Sequence, residues 1–212
     1  MITLARAAAR AAGVLLIFSV GLTAILSYTY FLAHPNITRN EQDVRRNLVA
    51  QTLPASSYNN DLLNNELTLP ANSLLGTDAP SLAWQARLND QPVAVVIEAS
   101  APDGYSGKIK LLIAITAAGK LSGVRVISHK ETPGLGDYIE IAKSKWILLF
   151  DGKSVTTPDN NGWKVKKDGG KFDYMAGATI TPRAVIKAVH HALQYASTHH
   201  AALFSTQSGA LP

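Results

Sequence analysis

The sequence predicts an α+β fold: a single N-terminal transmembrane helix, then one domain in which an antiparallel sheet is packed by helices. Three features point there. A long uncharged apolar run lies near the N-terminus, runs of strand character follow one another in the middle, and a strongly periodic helical run stands near the C-terminus. Within the 212 residues this gives a 1–12 tail, a 13–33 membrane span and a 34–83 segment of helix and irregular connection. An 84–200 folded domain and a 201–212 C-terminal tail complete the chain. That length holds one medium domain with a proper core once the span is subtracted.

Gly13 to Ala33 carries no charge for 21 residues, which at 1.5 Å per residue matches the roughly 30 Å of bilayer hydrocarbon. A secretory signal has a shorter apolar region and ends in a small-x-small cleavage site, whereas Phe31 sits two positions before Ala33, so an uncleaved anchor is expected. Arg6, Arg10 and the α-amine precede the span, and a short basic tail stays in the cytoplasm while the remainder is translocated. Tyr28, Tyr30 and Phe31 suit the outer aromatic belt. The expected arrangement is a single membrane crossing with the C-terminal domain translocated.

The chain has no cysteine, which excludes disulfides, Cys-ligated zinc, iron–sulfur clusters and thiol catalysis within it. Its net charge of +5 comes from scattered basic residues without interleaved aromatics, which argues against nucleic acid as a partner.

After the span, Thr38-Arg39-Asn40-Glu41 matches a capping box and Val44, Leu48 and Val49 recur at helical spacing up to Pro54, predicting a short amphipathic helix. Residues 55–82, rich in Asn, Ser, Pro and Gly, read as irregular. Strands are expected at 92–100, 108–116 and 120–129, the last two joined through Ala117-Ala118-Gly119 as a hairpin. Ile109, Leu111, Ile113 and Ile115 share a face that Val124 and Val126 can oppose, giving a sheet with one face to bury. Over 137–150, Ile139, Ala142, Trp146 and Leu149 fall at helical spacing, with Asp137 as cap. A brief strand is expected at 163–167 among turn-rich stretches, and Val185, Val189, Leu193 and Ala196 form the stripe of the clearest helix.

Thr181 stands directly before Pro182 at the head of that helix. A hydroxyl there can cap a free first-turn N–H, and Pro is favoured at the first helical position. The preceding Gly177-Ala178 leaves the hydroxyl open, and a helix N-terminus with Arg183 two residues on would receive a phosphate well. Local physics leaves both roles standing.

The run Asp173-Tyr174-Met175-Ala176-Gly177-Ala178-Thr179-Ile180-Thr181 resembles the flavinylation motif of a known family. That family is the FMN-binding domain shared by the G subunit of Rnf electron-transport complexes and the C subunit of the sodium-pumping NADH:quinone reductase. APDGYSGKIKLLIAI at 101–115 and SHKETPGLGDYIE at 128–140 are similar to two further family segments, so the likeness is continuous from about residue 92 to 195. A single N-terminal anchor and Tyr58-Asn59-Asn60 resemble the Rnf G subunit in particular. Ala176 departs from the family, which often has Ser or Thr there.

The resemblance implies FMN joined covalently by a phosphoester to Thr181, with a flavin transferase using FAD as donor. It implies electron relay within an ion-translocating membrane complex, the other membrane subunits being the partners. Gly177, Ala178, Thr179 and Asp173 are implied cofactor-binding residues through the motif, and Glu131 and Thr132 through the Glu-Thr-Pro-Gly-Leu-Gly loop. Gly134 and Gly136 either let backbone approach the flavin or make the turn before Asp137. No acid/base catalytic residue is expected, because the flavin carries the chemistry and the protein supplies position and tuning. A covalent ester also removes the need for tight noncovalent affinity where free FMN is dilute. Two alternatives remain: an unflavinylated scaffold subunit of a membrane complex, or the C subunit of the sodium-pumping reductase.

Other motifs carry less. His190-His191 and His199-His200 lack an accompanying carboxylate at ligand spacing, so a solvated helix surface is expected rather than a metal site. The Gly134 and Asp168 loops lack the spacing of a dinucleotide fingerprint or a P-loop, and no Gly-x-Ser-x-Gly elbow supports a hydrolase.

Overall fold

The computed structural model describes residues 2–64 and 66–205, with residues 2, 35–46 and 64 described by backbone alone. The chain divides into two compact units, Met1–Val44 and Arg45–Pro212.

The N-terminal unit is helical. Helix α1 runs Ile2–Thr52 without a break, so the backbone joins what the sequence reading treated as a membrane helix and a separate amphipathic one. Pro35 lies within this helical backbone, where proline has no N–H to donate to an i→i−4 bond. Thr38, Glu41 and Val44 lie outside the described side chains. Thr3–His34 is long and apolar enough to cross a membrane.

The C-terminal unit is built on a five-stranded antiparallel sheet in the order β1-β2-β3-β4-β5. The strands are β1 (Glu66–Leu69), β2 (Ser81–Leu88), β3 (Gln91–Ala101), β4 (Ile109–Thr116) and β5 (Leu121–Ser128). The expected hairpin forms: Leu111 pairs with Val126 and Ile113 with Val124, and Gly119 takes φ +73° in the connection. Strands β1 and β2 begin the sheet earlier than the apolar alternation predicts. Leu67 and Leu69 of β1 are buried, but four residues are too few to show a period beside the Asn- and Pro-rich stretch.

Both faces of the sheet are covered, where one was expected. Ile109, Leu111, Ile113 and Ile115 turn toward helix α2 (Ile180–Thr198), whose Val185, Val189, Leu193 and Ala196 belong to the same apolar cluster. Leu112 and Ala114 of β4 turn the other way, against Trp84, Val49, Leu53 and Leu62. Fully burying each such aliphatic side chain contributes about 1.5–3 kcal/mol before entropy is counted. Past α2, the short helix α3 (His200–Leu203) buries Leu203, and Gln85 Nε2 donates to the carbonyls of Leu203 and Ser205 at 2.8 and 3.0 Å.

Two predicted elements do not form. Residues 137–150 make 3-10 turns at Asp137–Ile139 and Trp146–Phe150, not one α-helix. Ser144 Oγ donates to the Tyr138 carbonyl at 2.8 Å and accepts from the Trp146 N–H at 3.0 Å, offering that backbone an alternative to the helical ladder. Tyr138, Ile139, Trp146, Ile147 and Phe150 are buried instead, while Ala142 is exposed. The 163–167 strand reduces to a bridge between Val165 and Phe172, followed by a 3-10 turn at Lys166–Asp168.

Candidate functional site

At one end of the sheet, three connections converge on the head of α2: the β3–β4 loop, the segment after β5 and the approach to the helix. A cavity of about 330 Å3 opens between them. Its lining includes Glu131, Thr132, Gly177, Ala178, Thr179 and Thr181, six of the seven residues expected at the site. Tyr105, Leu135, Gly136 and Ile180 complete it.

The segment after β5 folds back on itself. The N–H groups of Leu135 and Gly136 both donate to the Thr132 carbonyl, at 3.1 and 2.9 Å, and the Gly134 N–H donates to Asp137 Oδ1 at 2.8 Å. Asp137 therefore closes this loop instead of capping a helix ahead of it. Gly134 takes φ +77°, which explains the first glycine as a turn former. Gly136 is different: a Cβ there would stand 2.9 Å from Glu131 Cβ, 3.0 Å from Glu131 Oε2 and 3.1 Å from Thr181 Oγ1. The second glycine is needed for close approach.

Glu131 is 4% exposed and Thr181 1%. The Thr181 hydroxyl donates to Glu131 Oε2 at 2.5 Å, and Glu131 Oε1 accepts the Ser106 N–H at 3.0 Å. One carboxylate thus ties together the β3–β4 loop, 25 residues before it, and α2, 50 residues after it. The Glu131 N–H donates to His129 Nδ1 at 3.0 Å, which leaves the proton on Nε2, 2.6 Å from Glu140 Oε1. Thr181 is not the helix cap that the sequence predicts. Helix α2 starts at Ile180 with Thr179 as cap and no side-chain capping bond, and Pro182 falls beyond the first position. The carboxylate holds the hydroxyl that would otherwise cap.

The other side of the cavity is looser. Asp173, Tyr174, Met175 and Gly177 are exposed. Asp173 does not line the cavity; its carboxylate pairs with Lys166 Nζ at 2.5 Å, and its carbonyl accepts from Trp146 Nε1 at 2.6 Å. Tyr138 Oη accepts the Met175 N–H at 3.4 Å, and burial pushes this phenol up from 10.0 to about 12 despite that bond. Arg183 points away from the phosphate role foreseen for it: its guanidinium donates to both Asp168 oxygens, at 2.6 and 2.7 Å. That pairing lowers the Asp168 pKa and raises that of Arg183.

These residues suit a phosphate-bearing aromatic ligand. The N–H groups of Ile180 and Thr181 at the start of α2 have no intrahelical acceptor and carry the positive end of the helix dipole. Tyr105, Leu135 and Ile180 offer an apolar rim, exposed at 67, 44 and 45%. The volume lies within the roughly 300–1,000 Å3 of small-molecule sites. Among the described residues no group of three His, Asp or Glu could hold a metal. His190 is half-buried, stacked on Trp163 at 4.8 Å, rather than on a solvated surface. Burial lowers its pKa.

The structure thus describes a domain with a small-molecule cavity at one end of an antiparallel sheet and, in the other unit, a helix of membrane length. Residues 104–194 match the FMN-binding domain family. The chain is 48% identical over 198 residues to the G subunit of the ion-translocating oxidoreductase complex of Pseudomonas aeruginosa, which covers 93% of this chain and 91% of that protein. The protein of the same name from Vibrio atlanticus is 43% identical over 192 residues, 91% of each chain. That from Pseudoalteromonas atlantica is 38% identical over 195 residues, 92% of this chain and 91% of its own. The chain belongs to the family of ion-translocating oxidoreductase complex G subunits and contains its FMN-binding domain.

Sequence reasoning missed Tyr105, Leu135 and Ile180 as lining residues. Each is a single apolar residue in a turn or at a helix start, where no periodicity marks a role. Their signal was membership of the segments that resemble the family: Tyr105 lies within 101–115, Leu135 within 128–140 and Ile180 within the 173–181 run.

Proposed function

We propose that this chain is the membrane-anchored flavoprotein subunit of an ion-translocating electron-transport complex of the Rnf type. FMN is held by a phosphoester to Thr181, attached by a flavin transferase, and the other membrane subunits are its partners. The anchor crosses the bacterial inner membrane with the domain on the periplasmic side, where a covalent cofactor cannot dilute away. Bound FMN supplies reversible electron uptake and release.

The observation that carries the proposal is the position of Thr181 Oγ1: on the wall of the cavity, at the head of α2, beside N–H groups free to face a phosphate. Glu131 orients the hydroxyl. Thr132, Gly177, Ala178 and Thr179 enclose the phosphate end, and Leu135, Tyr105 and Ile180 keep water from one side of the ring. Since Thr181 is 1% exposed, a donor reaches it through the cavity and not from bulk solvent.

The test is flavin fluorescence on a denaturing gel after co-expression with a flavin transferase proven on another acceptor. Wild type should fluoresce and Thr181→Ala should be dark while keeping its fold. A dark wild type would sink the proposal in favour of a scaffold role. Co-purification with membrane subunits from the native host tests the complex.

A further inference from the structure

Threonine is a poor nucleophile until its proton has somewhere to go, and in this site the destination is already in contact. Glu131 Oε2 accepts the Thr181 hydroxyl at 2.5 Å, inside the reach required of a general base. The carboxylate's other oxygen is fixed by the Ser106 N–H at 3.0 Å, and the absence of a Cβ at Gly136 leaves room for the pair. Glu131 is 4% exposed and lines the cavity by which a donor must arrive. Among the described residues lining that cavity, it is the charged one. A purely structural tie between a loop and a helix could use a neutral acceptor. A buried carboxylate is a costly choice unless its charge is used.

We propose that Glu131 is the base that activates Thr181 for its own flavinylation, a catalytic role lying in the acceptor chain as well as in the transferase. This presupposes the covalent attachment proposed above. Thr181 Oγ1 attacks the flavin-side phosphorus of FAD, forming the Oγ1–P bond. The P–O–P anhydride bond breaks, and AMP leaves with its electron pair. The hydroxyl proton passes to Glu131 Oε2. No electron is gained or lost: the flavin-side phosphate keeps its single negative charge, the carboxylate becomes neutral as it takes the proton, and the matching negative charge departs on AMP.

The experiment uses the full-length chain in detergent, FAD and a flavin transferase proven on a control acceptor. Loading is followed over time by intact mass and in-gel fluorescence, and folding by near-UV circular dichroism. Glu131→Gln keeps the shape and an oxygen for Ser106 but cannot take the proton. It should fold and load at least roughly a hundredfold more slowly, the low end of general-base effects. Glu131→Ala should be slow and should recover as formate is added, a gain that a structural role would not produce. Loading of a folded Glu131→Gln within about threefold of wild type would overturn the base and leave the attachment standing. If Glu131→Gln is slow but misfolded, the alanine variant decides: recovery with formate upholds the proposal, and its absence overturns it. A wild type that the proven transferase leaves dark overturns the attachment, and the base with it.

Discussion

The two walls of the cavity are built differently. The wall from Glu131 to Asp137 is over-determined: Glu131 and Asp137 are 4 and 8% exposed, and backbone and side-chain bonds close the turn from both ends. The wall from Asp173 to Gly177 is mostly exposed, and what holds it is two buried aromatics beneath, through Trp146 Nε1 and Tyr138 Oη. A wall that fixes a reacting atom needs many constraints, because a misplacement of an ångström in a reacting group is costly. Under the proposed attachment, the wall that would admit a dinucleotide to Thr181, 1% exposed, is the one with few buried contacts, and such segments are the ones that open locally.

Placing a methyl group in the inner wall should produce the largest effect. Gly136→Ala sets a Cβ 2.9–3.1 Å from Glu131 and Thr181, which have little room to yield. Overpacking of this kind costs about 1–3 kcal/mol. At roughly 2–4 °C per kcal/mol for a chain of this size, melting should fall by several degrees. Covalent loading should fall too, since the clash lies between the hydroxyl and its acceptor. Unchanged melting and loading would mean the inner wall is softer than its contacts imply.

Loosening the outer wall should do less to stability and should act on access. Trp146→Phe removes the donor to the Asp173 carbonyl but keeps an aromatic ring edge-on to Tyr138 and Phe150. The lost bond is worth about 0.5–1.5 kcal/mol. Amides of 173–177 should exchange faster in hydrogen-exchange mass spectrometry, those of 131–137 should not change, and loading should persist. Loss of loading in this variant would show that the outer wall also positions Thr181, which would erase the distinction between the walls.

The same division explains what could be read from the sequence. The β4–β5 hairpin and α2 were legible because residues at a fixed period, such as Ile109 to Ile115 and Val185 to Ala196, meet one continuous face. The stretch from 129 to 179 has no such repeat. Its folding rests on point contacts, such as Ser144 with Tyr138 and Trp146, and Asp137 with Gly134, which leave no periodic trace. Helical spacing at 139, 142, 146 and 149 therefore misled. Thr181 was marked by its motif, but its contact with Glu131 spans 50 residues and is set only by the fold. Asp173, within the same motif, serves the outer wall through Lys166 and Trp146, and adjacency in sequence gave no way to separate it from the cavity residues.

The smallest effect concerns the second aromatic under the outer wall and is visible in alkaline solution. Burial raises the Tyr138 phenol from 10.0 to about 12. With the folded-state pKa raised, its contribution to stability is fully present below pH 10 and is lost as pH rises through about 12, because the unfolded chain releases the proton first. Tyr138→Phe removes that titration. Near neutral pH the variant should lie only a few tenths of a kcal/mol below wild type, since the bond it loses, from the Met175 N–H at 3.4 Å, is long. Between pH 10 and 12 wild-type melting should fall more steeply, so the two curves close and then cross. Parallel curves would mean that the folded phenol ionises as freely as the unfolded one. The ring would then be wetted from the side of Met175, and the outer wall would already stand open over it.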